Sequence, residues 1–222
     1  MLKGIDVSRY QGVDYNLREA GLAFAFIKAS EGLFQDPQLQ RHASEVGSTY
    51  LFRGFYHFYR DNFDPERQAL YFWQKIQPYL DVFSLPPVLD LEDPNVKRDP
   101  VTFGARVMAF LRKLEALSGY RPIVYTNKNF ITQRLGGSHF LALYKLWDAC
   151  YEKNPATPYC GWPAPSFWQF TDHSAVTGEA APLDGDLFMG TPAQLMALTK
   201  AAVCKGNLDP ETWAQRNNIK IF

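Results

Sequence analysis

The chain has 222 residues, a length that suits one large domain with a core of its own. Its 23 lysines and arginines equal its 23 aspartates and glutamates, so no basic field points to nucleic acid or to a membrane surface. No apolar stretch reaches the length of a membrane span, and 17 Phe, 12 Tyr and 5 Trp supply both core and flat faces for sugar rings. In chain order, strands are predicted near 3–8, 23–30, 50–59, 86–92, 122–127, 144–151, 166–171 and 183–188. Helices are predicted over 36–47 and 64–78, each opened by an Asp-Pro pair, and over 101–118, opened by Asp99 or Pro100 and closed by Gly119. The links after the first strand and among the last three are short or irregular, with little room for full helices. From Thr191-Pro192 the tail reads as a helix running to Gly206, followed by a capped turn at Asp209-Pro210-Glu211. Eight strands alternating with helices argue for a parallel α/β sheet closed as an irregular TIM-like (β/α) barrel with fewer than eight helices. No linker or repeat divides the chain, so residues 1–222 are expected to form a single domain.

The segment Pro86-Pro87-Val88-Leu89-Asp90-Leu91-Glu92-Asp93-Pro94 places two carboxylates on one face of a buried strand. Their spacing, roughly 6–7 Å along the strand, lets each perturb the other, as acid catalysis of glycosyl transfer requires. In barrels of this kind the working residues sit at the C-terminal strand ends. Those ends carry Asp6, Lys28, Glu31, Tyr56, His57, Asp90, Glu92, Tyr125, Asp148, Trp168, Gln169, Asp184 and Asp186. Polar groups inside apolar runs are costly unless they are used, so this gathering at one rim is informative.

Other chemistries find less support. The chain has no G-x-S-x-G elbow, no Gly-rich phosphate loop and no H-E-x-x-H. Its four histidines are scattered, and His57, amid aromatic residues, reads as a core histidine. No metal or cofactor is expected, with a carboxylate site of Asp6, Asp90, Glu92 and Asp184 as the rival. Cys150, Cys160 and Cys204 lack metal-ligand spacing and are expected to be buried reduced thiols, a Cys150–Cys160 bridge being the alternative.

The stretch Gly4-Ile5-Asp6-Val7-Ser8-Arg9-Tyr10-Gln11-Gly12 resembles the opening motif of glycoside hydrolase family 25, the Chalaropsis-type lysozymes. The resemblance continues in order through Phe24-Ala25-Phe26-Ile27-Lys28-Ala29-Ser30-Glu31-Gly32, Gly54-Phe55-Tyr56-His57-Phe58 and Pro87-Val88-Leu89-Asp90-Leu91-Glu92. It then takes in Pro122-Ile123-Val124-Tyr125-Thr126, Leu146-Trp147, Phe167-Trp168-Gln169-Phe170-Thr171 and Leu183-Asp184-Gly185-Asp186-Leu187-Phe188, covering about residues 3–190. It implies a lysozyme that hydrolyses the β-1,4 bond between N-acetylmuramic acid and N-acetylglucosamine of bacterial peptidoglycan. By position, Glu92 matches the general acid, Asp90 the carboxylate beside it, and Asp6 and Asp184 the remaining acids. Tyr56, Tyr125, Trp168 and Gln169 match groove-lining positions.

On physical grounds Glu92 is expected to hold a proton and give it to the leaving oxygen, while Asp90 stays charged as nucleophile or as orienter of the substrate's N-acetyl group. The second role is favoured, because Asp-x-Glu is similar to the arrangement in substrate-assisted chitinases. Lys28 either keeps the acids ionised or pairs with Glu31. Asp184 and Asp186 compete for one family position; Asp184 takes it and Asp186 is a candidate substrate contact. Asp148 stands where the family has an apolar residue and is expected to face away from the mouth. The alternatives are a chitinase-like hydrolase of N-acetylglucosamine polymers and a non-catalytic glycan-binding barrel. A monomer is expected. Because the N-terminus runs straight into a strand, no signal peptide is expected, and the wall would be reached by phage lysis or dedicated secretion.

Overall fold

Strand side chains alternate between two faces, and here the inward positions are apolar at one end of each strand and polar at the other. The computed structural model describes residues 1–11, 17, 21–49, 51–174 and 183–199. Its strands are β1 (Leu2–Val7), β2 (Phe24–Glu31), β3 (Phe34–Gln35), β4 (Phe52–Phe58), β5 (Val88–Asp90), β6 (Ile123–Thr126), β7 (Lys145–Ala149), β8 (Phe167–Ser174) and β9 (Leu183–Phe188). All but β3 close a barrel in that order, β9 pairing back onto β1, while β3 is a short antiparallel addition to β2. The expected all-parallel sheet needs correcting, because β9 runs antiparallel to both neighbours. Chain length explains this: eight residues, 175–182, separate β8 from β9, and a parallel return needs a crossover of about a dozen.

Five α-helices stand among the described residues: α1 (Leu39–Gly47), α2 (Pro65–Ile76), α3 (Pro100–Ser118), α4 (Lys128–Leu135) and α5 (Pro192–Met196). Asp64 and Asp99 cap α2 and α3 with proline in the first turn, and Gly119 ends α3 at φ 74°. The first predicted helix starts late, at Leu39, because the Asp36 carboxylate accepts from the amides of Arg9 and Gln38 and ties down the loop after β1. Helix α4, which the sequence reading had not named, is capped by Asn127. Helix α5 opens on a Thr191–Gln194 capping box and ends at Met196, short of the predicted Gly206. The predicted turn at 209–211 and Cys204 lie outside the described residues. No helix among the described residues is long and apolar enough to cross a membrane.

Two apolar layers hold the barrel. Outward side chains such as Ile5, Ile27, Phe55, Leu89 and Val124 pack under the helices. Inside, Phe24, Phe26, Trp147 and Phe167 plug the lower barrel, with Phe26 stacked on Trp147 at 4.3 Å and Phe24 edge-on to Phe167 at 5.2 Å. Gly4 and Gly54 make this plug possible: a Cβ on the first would strike the Phe24 ring, and on the second the Phe26 ring. Above the aromatic floor, the same strands turn polar.

Candidate active site

Asp6 on β1, Tyr56 on β4, Asp90 on β5, Tyr125 on β6, Trp147 on β7, Gln169 on β8 and Asp184 on β9, together with Glu92 just beyond β5, line one cavity of about 70 Å³ at the mouth. Such a space holds a few waters or one acetamido group, not a disaccharide. The register explains the gathering. Asp6 lies opposite Asp184, and Asp90 beside Tyr125, so inward positions of neighbouring strands meet at one level. Because β9 is antiparallel, Asp184 reaches the mouth from the start of its strand rather than the end.

A hydrogen-bonded chain fixes one side of the cavity. The hydroxyls of Tyr125 and Tyr151 both donate to Gln169 Oε1, at 2.9 and 2.8 Å, and Gln169 Nε2 donates to Asp6 Oδ2 at 2.7 Å. With both lone pairs of its oxygen used, buried Gln169 holds its neighbours in place rather than accepting a bond from a ligand. Tyr151, half exposed and unmarked by the sequence reading, joins the site through this chain.

The acids are crowded and mostly buried. Burial raises the pKa of Asp6 well above the ordinary carboxylate value, and the Asp184 charge adds to it. Asp90 is likewise pushed well up by burial and by Glu92, against the pull of Lys28. Burial raises Glu92 too, with Lys28 opposing. Asp184 is raised by burial and then by Asp172. Burial thus shifts both Asp90 and Glu92 toward the neutral form, with the Lys28 charge opposing in each case.

Three expected residues sit elsewhere. Asp186, one inward position below Asp184, is completely buried beneath the cavity, where its Oδ1 accepts from Trp147 Nε1 at 2.8 Å. It is closed off from a substrate, and burial followed by Asp6 raises its pKa well above normal. Trp168, next to inward-facing Gln169, turns to the opposite face and donates its indole N–H to Cys150 O at 2.7 Å. The indole that lines the cavity is Trp147, whose phase opposite to outward-facing Asp148 turns it to the mouth. Lys28 pairs with Glu31 at 2.8 Å and acts on the cavity through its charge. The pairing with Glu31 is formed, and the lysine charge opposes the upward shift of Asp90 and Glu92 without cancelling it.

His57 faces the helices between Ser30 Oγ at 2.9 Å and Gln68 Oε1 at 3.2 Å, and stacks on Phe110. Burial drives its pKa down to about 3, as befits a neutral core histidine. Asp148 also faces outward, accepting from Tyr159 Oη and the Ala156 amide at 2.8 Å each. Cys150 and Cys160 are free thiols, so the alternative bridge is not formed. Among the described residues, no group of three or more His, Cys, Asp or Glu is placed to hold a metal ion.

Acids, two buried tyrosines and an indole around a small polar cavity at a barrel mouth suit the chemistry of a glycoside hydrolase. Residues 5–179 match the family described as Glycosyl hydrolases family 25, and the chain belongs to that family of lysozyme-type enzymes. The uncharacterized protein YegX of Escherichia coli (strain K12) is 33% identical over 88% of this chain and 72% of its own length. The N,O-diacetylmuramidase of Chalaropsis sp is 30% identical over 84% of this chain and 95% of its own. The crystal structure of the bacterial lysozyme from Streptomyces coelicolor superposes with a TM-score of 0.83 at 28% identity, covering 89% of this chain and 96% of that one.

Proposed function

We propose that the chain hydrolyses the β-1,4 bond between N-acetylmuramic acid and N-acetylglucosamine in bacterial peptidoglycan, with Glu92 as general acid and Asp90 orienting the substrate's acetamide. The observation behind this reading is Asp90 Oδ1, a buried carboxylate oxygen without a hydrogen-bond partner on the wall of an acetamido-sized cavity. A buried acceptor left unsatisfied costs about 1–3 kcal/mol, which an incoming N–H donor recovers. Donation from the acetamide N–H favours the charged form of Asp90, which gives up its proton to solvent while Glu92 keeps its own.

Glu92 then protonates the glycosidic oxygen as the C1–O bond breaks, and the acetamide carbonyl oxygen closes onto C1. Asp90 holds the acetamide N–H as positive charge develops on the oxazolinium ring. Water next attacks C1 from the face the leaving group vacated and gives its proton to Glu92, while the C1–O bond to the carbonyl oxygen breaks and restores the acetamide, with net retention. Asp6 and Asp184 complete the acid cluster around the reacting sugar, and Tyr56 and Tyr125 line it. The place of action is the bacterial wall, and the working unit is a monomer.

The test is muropeptide analysis of a peptidoglycan digest, with new reducing-end muramic acid as the expected product. Glu92→Gln is expected to slow its release by about 10²–10⁴-fold while the fold stays intact. Faster cleavage of chitooligosaccharides than of peptidoglycan would favour a chitinase, and an unaffected Glu92→Gln variant would remove Glu92 from the role. An oxazoline-like inhibitor should bind tightly, whereas a sugar trapped covalently on Asp90 would make that residue the nucleophile.

A further inference from the structure

Building on the reading of Glu92 as general acid, we propose that Glu31 and Arg60 are positioning residues, an ion-pair relay that holds the Lys28 ammonium away from Asp90 and Glu92. The relay runs from Lys28 through Glu31 and Arg60 to Asp93. Lys28 Nζ meets Glu31 Oε2 at 2.8 Å, and the Arg60 guanidinium donates to Glu31 Oε1 from Nε at 2.9 Å and Nη2 at 2.6 Å. Arg60 Nη1 meets Asp93 Oδ1 at 2.8 Å, and Asp93 directly follows Glu92 in the chain. Strand register sets the relay beside the acids: Glu31 pairs with Phe58 and Phe58 with Asp90, so the ends of β2, β4 and β5 meet at one level. Lys28 and Arg60 both lie over the Phe58 ring, at 4.9 and 4.5 Å from its centre.

Lys28 is buried, and among the described residues its one ion pair is with Glu31, not with Asp90 or Glu92. Glu31 holds it because both of its oxygens are engaged, one by each cation. Burial works against the Glu31 charge, but the bonds from Lys28 and Arg60 bring its pKa below the ordinary value. With Asp93 the relay carries two positive and two negative charges, so loss of any member leaves an excess of known sign beside the acids. The groups around Lys28 are Glu31 on its own strand, His57 on β4, Arg60 beyond β4, and Asp90 and Glu92 at and beyond β5. Those around Glu92 are Lys28, Asp90, Asp6, Asp184, Tyr125 and Tyr151, with Lys28 the cation in the set. Turned onto Glu92, the ammonium would favour the ionised acid, which has no proton to give. Seated on Glu31, it acts from a distance.

The test is titration of the Glu92 carboxyl carbon by NMR in the whole protein, with the alkaline limb of kcat/KM on soluble peptidoglycan strands measured alongside. Glu31→Gln releases Lys28 toward the acids and should lower the Glu92 midpoint by about 0.5 pH unit or more; adding Lys28→Met should abolish that fall. Arg60→Gln leaves Glu31 and Asp93 with one cation between them and should raise the midpoint by a similar amount. Arg60→Lys keeps the charge and should stay near wild type. The Arg60 side chain is 30% exposed, so its variants are expected to fold and to decide the matter even where Glu31→Gln does not. Shifts of opposite sign support the relay. A midpoint that Arg60→Gln leaves unmoved or lowers, or that both variants move the same way, overturns it and leaves these pairs as packing. A midpoint that moves as stated while the kinetic limb stays in place upholds the relay and removes Glu92 as the general acid.

Discussion

Asp90 Oδ1 and Asp186 Oδ2 are both buried without a hydrogen-bond partner, yet their surroundings differ. The first borders a cavity that a substrate group can enter, while the second is sealed under it. Asp186 therefore burdens the fold at neutral pH. Its folded pKa is raised, so as pH climbs past the ordinary carboxylate value the unfolded chain loses this proton before the native chain does, and stability falls. Asp186→Asn retains the acceptor for Trp147 and removes the charge. Chemical denaturation should show it more stable than wild type by about 1 kcal/mol or more near pH 7, with the gain fading near pH 4. An equal gain at both pH values would contradict this account. At the same scale, strand alternation made Asp6, Asp90 and Glu92 legible in the sequence. The Trp168-Gln169 pair misled, because adjacent strand residues face opposite ways and a motif quoted whole hides that phase.

At the scale of elements, the aromatic plug sets the height of the acid floor. Gly54→Ala drives a methyl into the Phe26 ring and should cost roughly 1–3 kcal/mol in thermal or denaturant unfolding. Adding Phe26→Leu should recover part of that loss; no recovery would mean the glycine serves its backbone rather than its neighbour. The helices were readable wherever a cap and a proline coincide, as at Asp64 and Asp99. The direction of β9 was not, since hydrophobic pattern reports a strand without its sense. The predicted strands end at 171 and start at 183, leaving eleven residues, close to the dozen a parallel crossover needs; only the extension of β8 to Ser174 shortens the link to eight. Helix α4 was missed because its cap, Asn127, sits flush against the preceding strand.

Among the described residues of the whole molecule, five carboxylates share the barrel interior with one lysine, Lys28. The proposed acid works while Glu92 keeps its proton, so kcat/KM should fall on the alkaline side as pH rises through the raised Glu92 value. Lys28 pulls that value down. Lys28→Met should move the alkaline limb to higher pH while Arg60 still holds Glu31, and an unmoved limb would assign the lysine to packing alone.

Strand order bears on the same cluster. Strand β9, the last of the described strands in chain order, closes β8 onto β1 and brings Asp184 and Asp186 with it. Without β9 the sheet carries Asp6, Asp90 and Glu92 but is open along β1 and β8. The acid-lined mouth is thus completed by the same stave that shuts the barrel.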